Sequence, residues 1–177
     1  MPRPASQPLA LLQTRLEEAG AVLHRARGAA ALARVLKARV GAPLWLEAHP
    51  WLEQAAGELQ KAGLSPRFAR EEWAPDADTV VTVALAAVPE TGSVLVKADG
   101  PGAWLPFRAR KQVVLVPHDQ AALSPAAALE LTQRHLPGLV SWLTGPTRTA
   151  DIEKVLVLGA QGPEELEVVI YQPVEGP

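Results

Sequence analysis

Cysteine is absent from all 177 residues. That excludes a disulfide framework, a thiolate zinc site, a cysteine nucleophile and a cysteine-ligated iron–sulfur cluster within this sequence. A charge excess is missing too. Seventeen Lys and Arg face nineteen Asp and Glu, for a formal net charge of −2, which gives no electrostatic case for nucleic acid or an anionic membrane as the main partner. No uninterrupted apolar run approaches the roughly 20 residues of a bilayer-spanning helix. The opening Met1-Pro-Arg-Pro-Ala-Ser-Gln-Pro8 is too proline-rich and polar for the core of a signal peptide. A cytoplasmic location is the expectation from these absences. The four histidines, His24, His49, His118 and His135, are widely separated, and none has a His-x-x-x-His spacing suited to a metal. No Gly-x-Ser-x-Gly elbow and no Walker loop occurs, and Gly100-Pro-Gly102 lacks the strand–turn–helix setting of a dinucleotide fingerprint.

What is present is globular: 48% apolar and 20% charged residues, in a chain long enough to bury a core without cross-links. Residues 1–8 are expected as a disordered tail and 9–177 as one domain. Leu9, Leu12, Leu16 and Ala19 share a helical face that stops at Gly20. Ala21-Val-Leu23 is a strand candidate. Leu32, Val35, Leu36 and Val40 repeat at helical spacing up to Gly41, and Pro43-Leu-Trp-Leu46 is a second strand candidate. Pro50 opens a helix whose stripe is Leu52, Ala55, Ala56, Leu59 and Ala62, with Gly63 as its stop. This alternation predicts an α/β fold, a three-layer, mostly parallel sheet flanked by helices.

Further on, 79–88 is a long β-branched apolar run, expected as a strand buried on both faces. Strands are also expected at 93–96, 112–116, 139–142 and 165–171. A helix is expected from Ser124-Pro125, with Leu129, Thr132 and Leu136 at core spacing and Pro137 as terminator. Trp45, Trp51 and Trp142 read as core. Trp104 and Phe107 sit in a breaker-rich loop beside Arg108, Arg110 and Lys111, where such aromatics would either suit a protein interface or cover the sheet's edge. Ile152 to Gly159 fits neither the helical nor the strand period.

Two short segments could carry chemistry. In Thr144-Gly-Pro-Thr-Arg-Thr149, a tight turn combines the Thr147 and Thr149 hydroxyls, the planar Arg148 cation and a glycine, Gly145. Followed by a helix start, such a turn could aim several N–H groups at one carboxylate or phosphate. The plainer reading has Thr147 or Thr149 capping the next turn, and Arg148 pairing with Asp151 or Glu153. In Val88-Pro-Glu-Thr-Gly-Ser93, a lone carboxylate lies between a buried strand and a glycine turn. There Glu90 could serve as a base, with Thr91 and Gly92 as ligand contacts, or it could bond the turn's own amides. His118 follows a strand and either faces a pocket or sits in a solvated loop.

Both segments resemble one family, the LUD domain of the lactate-utilisation proteins, in particular the LutC type. Those proteins carry a near-identical Ser/Thr-Gly-Pro-Ser/Thr-Arg-Thr-Ala-Asp-Ile-Glu run, then an apolar stretch and a Gly-Pro, as in 144–163 here. They also carry an Ala-Glu-Thr-Gly-Thr element that Glu90, Thr91 and Gly92 match. The chain departs from the family pattern at three positions: Leu85 replaces an acidic residue, Ala103 an arginine and Gln112 a histidine. The resemblance implies a fold like that of sugar-phosphate isomerases and CoA-transferases. It also implies an accessory or substrate-handling subunit of a system that oxidises L-lactate to pyruvate. Iron–sulfur clusters would then belong to partner subunits, with no cofactor in this chain. A stand-alone enzyme of the isomerase or acyl-transferase kind, binding an anionic ligand through Arg148 and using Glu90, is one alternative. A non-catalytic scaffold is the other.

Overall fold

The computed structural model describes residues 6–69, 76–97, 109–134, 138–146, 148–149, 157–158 and 162–174. Three apolar strands form its centre: β4 (Thr79–Val88), β6 (Lys111–Pro117) and β10 (Glu165–Gln172). Each is buried on both faces along most of its length, which suits the interior of a parallel sheet covered on two sides. β1 (Val22–Arg27) lies parallel to β10 at one edge, and β2 (Leu44–Glu47) and β3 (Arg67–Ala69) lie parallel beyond β4 at the other. The order across the parallel sheet is β1-β10-β6-β4-β2-β3.

Helices α2 (Ala29–Lys37) and α3 (Pro50–Lys61) cover one face. Their stripes of Leu32, Leu36, Leu52, Ala55 and Leu59 pack on Val81, Val113, Leu115, Val169 and Tyr171. His49 caps α3, its Nδ1 accepting from Trp51 N at 3.3 Å, and burial holds its imidazole pKa below the usual histidine range. The opposite face is covered differently. α1 (Ser6–Glu18) inserts Leu12 and Leu16 against Val114, Val116, Val168 and Ile170. Alongside it, β4 continues past a bulge between Ala84 and Ala86 and pairs antiparallel with β5 (Ser93–Lys97), which pairs antiparallel with β7 (Val140–Leu143). α4 (Pro125–Arg134) closes this layer, with Ala128 buried against Val88 and Leu95. Sheet, helices and antiparallel flap make the expected three-layer α/β architecture.

Three details depart from the sequence reading. α1 begins at Ser6, inside the segment expected as tail, because Pro8 in a helix's first turn lacks only an N–H that would have no intrahelical partner. Leu129 is 54% exposed and Trp142 40% exposed; the spacing of apolar residues finds a face but not whether anything covers it. Trp45, by contrast, is buried and donates Nε1–H to Asp76 at 3.2 Å. Trp104, Phe107, Arg108, His135, Leu136 and Pro137 lie outside the described residues.

Candidate functional site

The two segments singled out in the sequence meet. β5 and β7 pair with Val94 opposite Leu143, and this register brings Ser93 beside Thr144. Their hydroxyls are 2.6 Å apart, and Thr91 Oγ1 donates to Ser93 Oγ at 2.8 Å. Ser93 is buried between the exposed Thr91 and Thr144, and the three hydroxyls form a relay that ties the β4–β5 turn to the end of β7. Both turns rest on the last turns of α1 through glycine. Gly92 has φ 64°, and a Cβ there would lie 2.6 Å from Arg15 Cβ; Gly145 has φ 84°, and a Cβ there would lie 2.6 Å from the Ala19 carbonyl oxygen. Each position therefore requires glycine twice, for its backbone conformation and for the close approach.

The Glu90 side chain is exposed and makes no hydrogen bond or ion pair among the described residues. The turn's amides bond elsewhere, Thr91 N to Val88 O and Gly92 N to Pro89 O, each at 3.3 Å. Glu90 thus presents a free carboxylate at the β4–β5 turn. Thr147 lies outside the described residues, while Arg148–Thr149 forms the two-residue strand β8, antiparallel to β9 (Val157–Leu158). Arg148 and Thr149 are extended and paired with β9; residues 150–156, where a helix start would complete an anion-binding turn, lie outside the described residues.

Leu85, where the family pattern has an acidic residue, is the extra residue in the β4 bulge and packs in the cluster of Val88, Leu95 and Ala128. An apolar side chain under α4 replaces a charge there. Gln112 replaces the family histidine and is fully buried. Its Nε2 donates to Thr82 Oγ1 at 3.0 Å, while Oε1 has no partner among the described residues.

The positive charge of Arg110 and Lys111 is neutralised locally. Arg110 pairs with Asp78, its Nε donating to Oδ1 at 3.0 Å, and with Glu165. Lys111 Nζ lies 3.1 Å from Glu165 Oε2 and 2.6 Å from Glu167 Oε1, and His24 Nε2 lies 2.9 Å from Glu167 Oε2. The Arg110 hydrogen bond holds the Asp78 carboxyl below its ordinary range, and the Lys111 hydrogen bond does the same for Glu165.

Toward the carboxyl ends of the parallel strands lie Glu47, Arg25 and Arg27, which the sequence reading did not single out. Glu47, at the end of β2, accepts from Val83 N at 2.7 Å. Burial pushes its carboxyl pKa up, against the lowering effects of that bond and of Lys97. Above the ends of β1 and β10 lies a recess of about 320 Å³ lined by Leu9, Arg25, Ala26, Arg27, His118, Ile170 and Gln172. His118 therefore faces a pocket. An Arg-x-Arg-Gly run at a strand's end, just before a helix, was the available sequence signal for it.

An α/β domain with a mixed sheet and two family-like turns joined by a hydroxyl relay defines the class. A family model described as the LUD domain matches residues 55–171, and the chain belongs to the LUD domain family. It is 28% identical over 143 residues to a lactate utilization protein C of Exiguobacterium sp. strain AT1b, an alignment covering 73% of this chain and 55% of that protein. The chain thus spans about half the length of that curated relative. The fold is similar to that of a DUF162 family protein from Deinococcus radiodurans, with a TM-score of 0.70 at 18% identity, covering 96% of this chain and 99% of that one. The residues before the matched region belong to the same sheet, since β1 pairs with β10 along six positions.

Proposed function

We propose that the protein is a LutC-like accessory or substrate-handling subunit of a lactate-utilisation system, which oxidises L-lactate to pyruvate together with iron–sulfur partner subunits. The observation that carries this reading is the junction at Ser93 and Thr144, which joins the two segments most like the family. The likeness to a lactate utilization protein C supports it. So does the chemistry of the turns. A free carboxylate at Glu90, hydroxyls at Thr91, Thr147 and Thr149, the Gly92 and Gly145 backbones and the Arg148 cation suit a small hydroxy or keto acid. A sequence without cysteine holds no thiolate-bound cluster, and this reading assigns the iron–sulfur clusters to partner chains. No membrane-spanning helix occurs among the described residues, which fits a subunit working in the cytoplasm.

The test is purification of a tagged chain from its native host, assayed for L-lactate-dependent dye reduction and for bound iron. Lactate-dependent reduction with cysteine-rich partners is the expected result. An iron-free preparation, without partners or any response to lactate, overturns the reading. The unpaired Glu90 carboxylate favours a second reading, a stand-alone enzyme of the isomerase or acyl-transferase kind. Its mark is ligand-dependent turnover by the isolated chain that disappears in Glu90→Gln.

A further inference from the structure

We propose that the recess above the C-terminal end of β10 is a second binding site. Its ligand is a small oxyanion, a carboxylate- or phosphate-bearing molecule with a short apolar part. Three features of the fold converge there.

The first is topology. β10 lies between β1 and β6. The chain leaves β1 through α2, which packs on one face of the sheet. It leaves β6 through the 3-10 turn His118–Gln120 toward α4 and the opposite layer. Connections that part to opposite faces open a crevice at the carboxyl ends of parallel strands, where open α/β sheets hold their ligands.

The second is charge. Arg25 and Arg27 alternate with Ala26, so both project to the α1 side of β1, level with Ile170 and Gln172 of β10. Neither makes an ion pair among the described residues, and no carboxylate is among the residues lining the recess. Arg15, Arg67 and Arg110 each have an acidic partner. Two unpaired guanidinium forks on one strand face, with the His118 ring opposite, make a donor set matched to the planar or tetrahedral oxygens of an oxyanion.

The third is shape. Leu9 of α1 and Ile170 supply an apolar wall, and Gln172 adds an amide. The volume of about 320 Å³ is at the low end of the range for small-molecule sites. That selects a small metabolite over a nucleotide or a peptide.

The recess contains none of Glu90, Thr91, Gly92 or Gly145. It stands apart from the turn site and does not depend on the lactate reading.

The test follows the His118 ring resonances of the full chain by NMR during titration with inorganic phosphate and, separately, with L-lactate. A saturable shift with at least one probe is expected, at a dissociation constant of about 10 mM or tighter. Arg25→Gln/Arg27→Gln should weaken that binding at least about tenfold. The charge-matched Arg34→Gln/Arg39→Gln, on α2 and just beyond its C-terminus, should leave it unchanged. A response to phosphate alone assigns a phosphate-bearing ligand, and a response to lactate alone assigns a carboxylate. No saturable shift with either probe, or equal weakening in both double variants, overturns the proposal. Arg25 and Arg27 are exposed, so the double variant is expected to fold. Arg25→Gln and Arg27→Gln taken singly give the same reading if it does not.

Discussion

The two edges of the parallel sheet handle charge in opposite ways. At the amino ends of β4, β6 and β10, Asp78, Arg110, Lys111, Glu165, Glu167 and His24 interlock, and both Arg110 and Lys111 meet carboxylates. At the carboxyl ends of β1, β6 and β10, Arg25, Arg27 and His118 surround a recess that no described acid enters. The same sheet builds both edges, so burial and composition do not explain the difference. Connectivity does. The amino-end network falls where strands run side by side in register, as in the pairing of Lys111 with Glu165. The carboxyl-end cations fall where the connections part. Charges that satisfy each other hold a fold together, whereas unpaired cations around a cavity remain available to a ligand.

The strongest way to break the comparison is to unpair the closed edge. Lys111 and Glu167 have side chains only 9% and 7% exposed. Lys111→Met would leave the Glu167 carboxylate buried with His24 alone. A loss of about 3–5 kcal/mol is expected in urea unfolding. Lys111→Met/Glu167→Leu should recover most of it, because the uncompensated charge goes too. A loss below about 1 kcal/mol in the single variant would mean that water already reaches this edge.

Next in size is the junction of the two turns. Gly145→Ala forces a side chain into positive φ and toward the Ala19 carbonyl, for an expected loss of about 1–3 kcal/mol. Gly57→Ala is the counter-experiment. Nothing lies within 4 Å of its added Cβ, and α3 should gain about 0.5–1 kcal/mol. Opposite signs for one chemical change, read by thermal unfolding, separate a glycine needed by the junction from one merely tolerated in a helix. Equal small effects would remove the argument that α1 clamps the turns.

Smaller still is the contrast between arginines. Arg110→Gln breaks exposed pairs and should cost up to about 1 kcal/mol at neutral pH. Arg25→Gln/Arg27→Gln should stay within about 0.5 kcal/mol. The pH dependence sharpens this. Asp78 and Glu165 have folded pKa values below their unfolded ones. Their stabilisation is complete above the unfolded carboxylate range and is lost as pH falls through the depressed folded values. Arg110→Gln should flatten that acid-side decline, and the Arg25/Arg27 double variant should leave it intact. A matching decline in all three proteins would detach it from Arg110.

Much of this was legible in the sequence. The order of helices and strands followed from glycine stops and apolar periods, as at Gly20, Pro50 and Gly63. The buried run 79–88 gave the central strand. What the sequence could not show was non-local. That β1 and β10 are neighbours depends on a pairing across nearly the whole chain, and no local pattern encodes it. The β4 bulge turns one apolar run into two differently paired halves, because Leu85 drops out of the ladder. That bend leaves Glu90 at a turn on the antiparallel layer, among the segments that meet at Ser93 and Thr144. Parallel pairing of β4 ends by Val83. Leu129 has core spacing yet is 54% exposed, and Trp142 is 40% exposed, since local sequence does not show what covers a face. Arg25 and Arg27 gained meaning only once β10 and His118 were placed beside them.

Glu47 offers the finest contrast, since it is an acid held by the open edge rather than by a cation network. Its folded pKa lies above its unfolded one, mainly through burial, so the sign runs opposite to Asp78 and Glu165. Between the unfolded and the raised folded value, the native state binds the proton more tightly, and stability falls as pH rises through that window. Glu47→Gln keeps an oxygen to accept the Val83 N–H and removes the charge. The variant should match the parent below the carboxylate range and be modestly more stable at pH 7, by a fraction of the Lys111 effect. Denaturation curves taken across that range decide it. If the parent is the more stable at pH 7, the carboxylate is held there by a favourable charge partner instead, and Lys97, the cation that lowers its pKa, becomes the group to replace next.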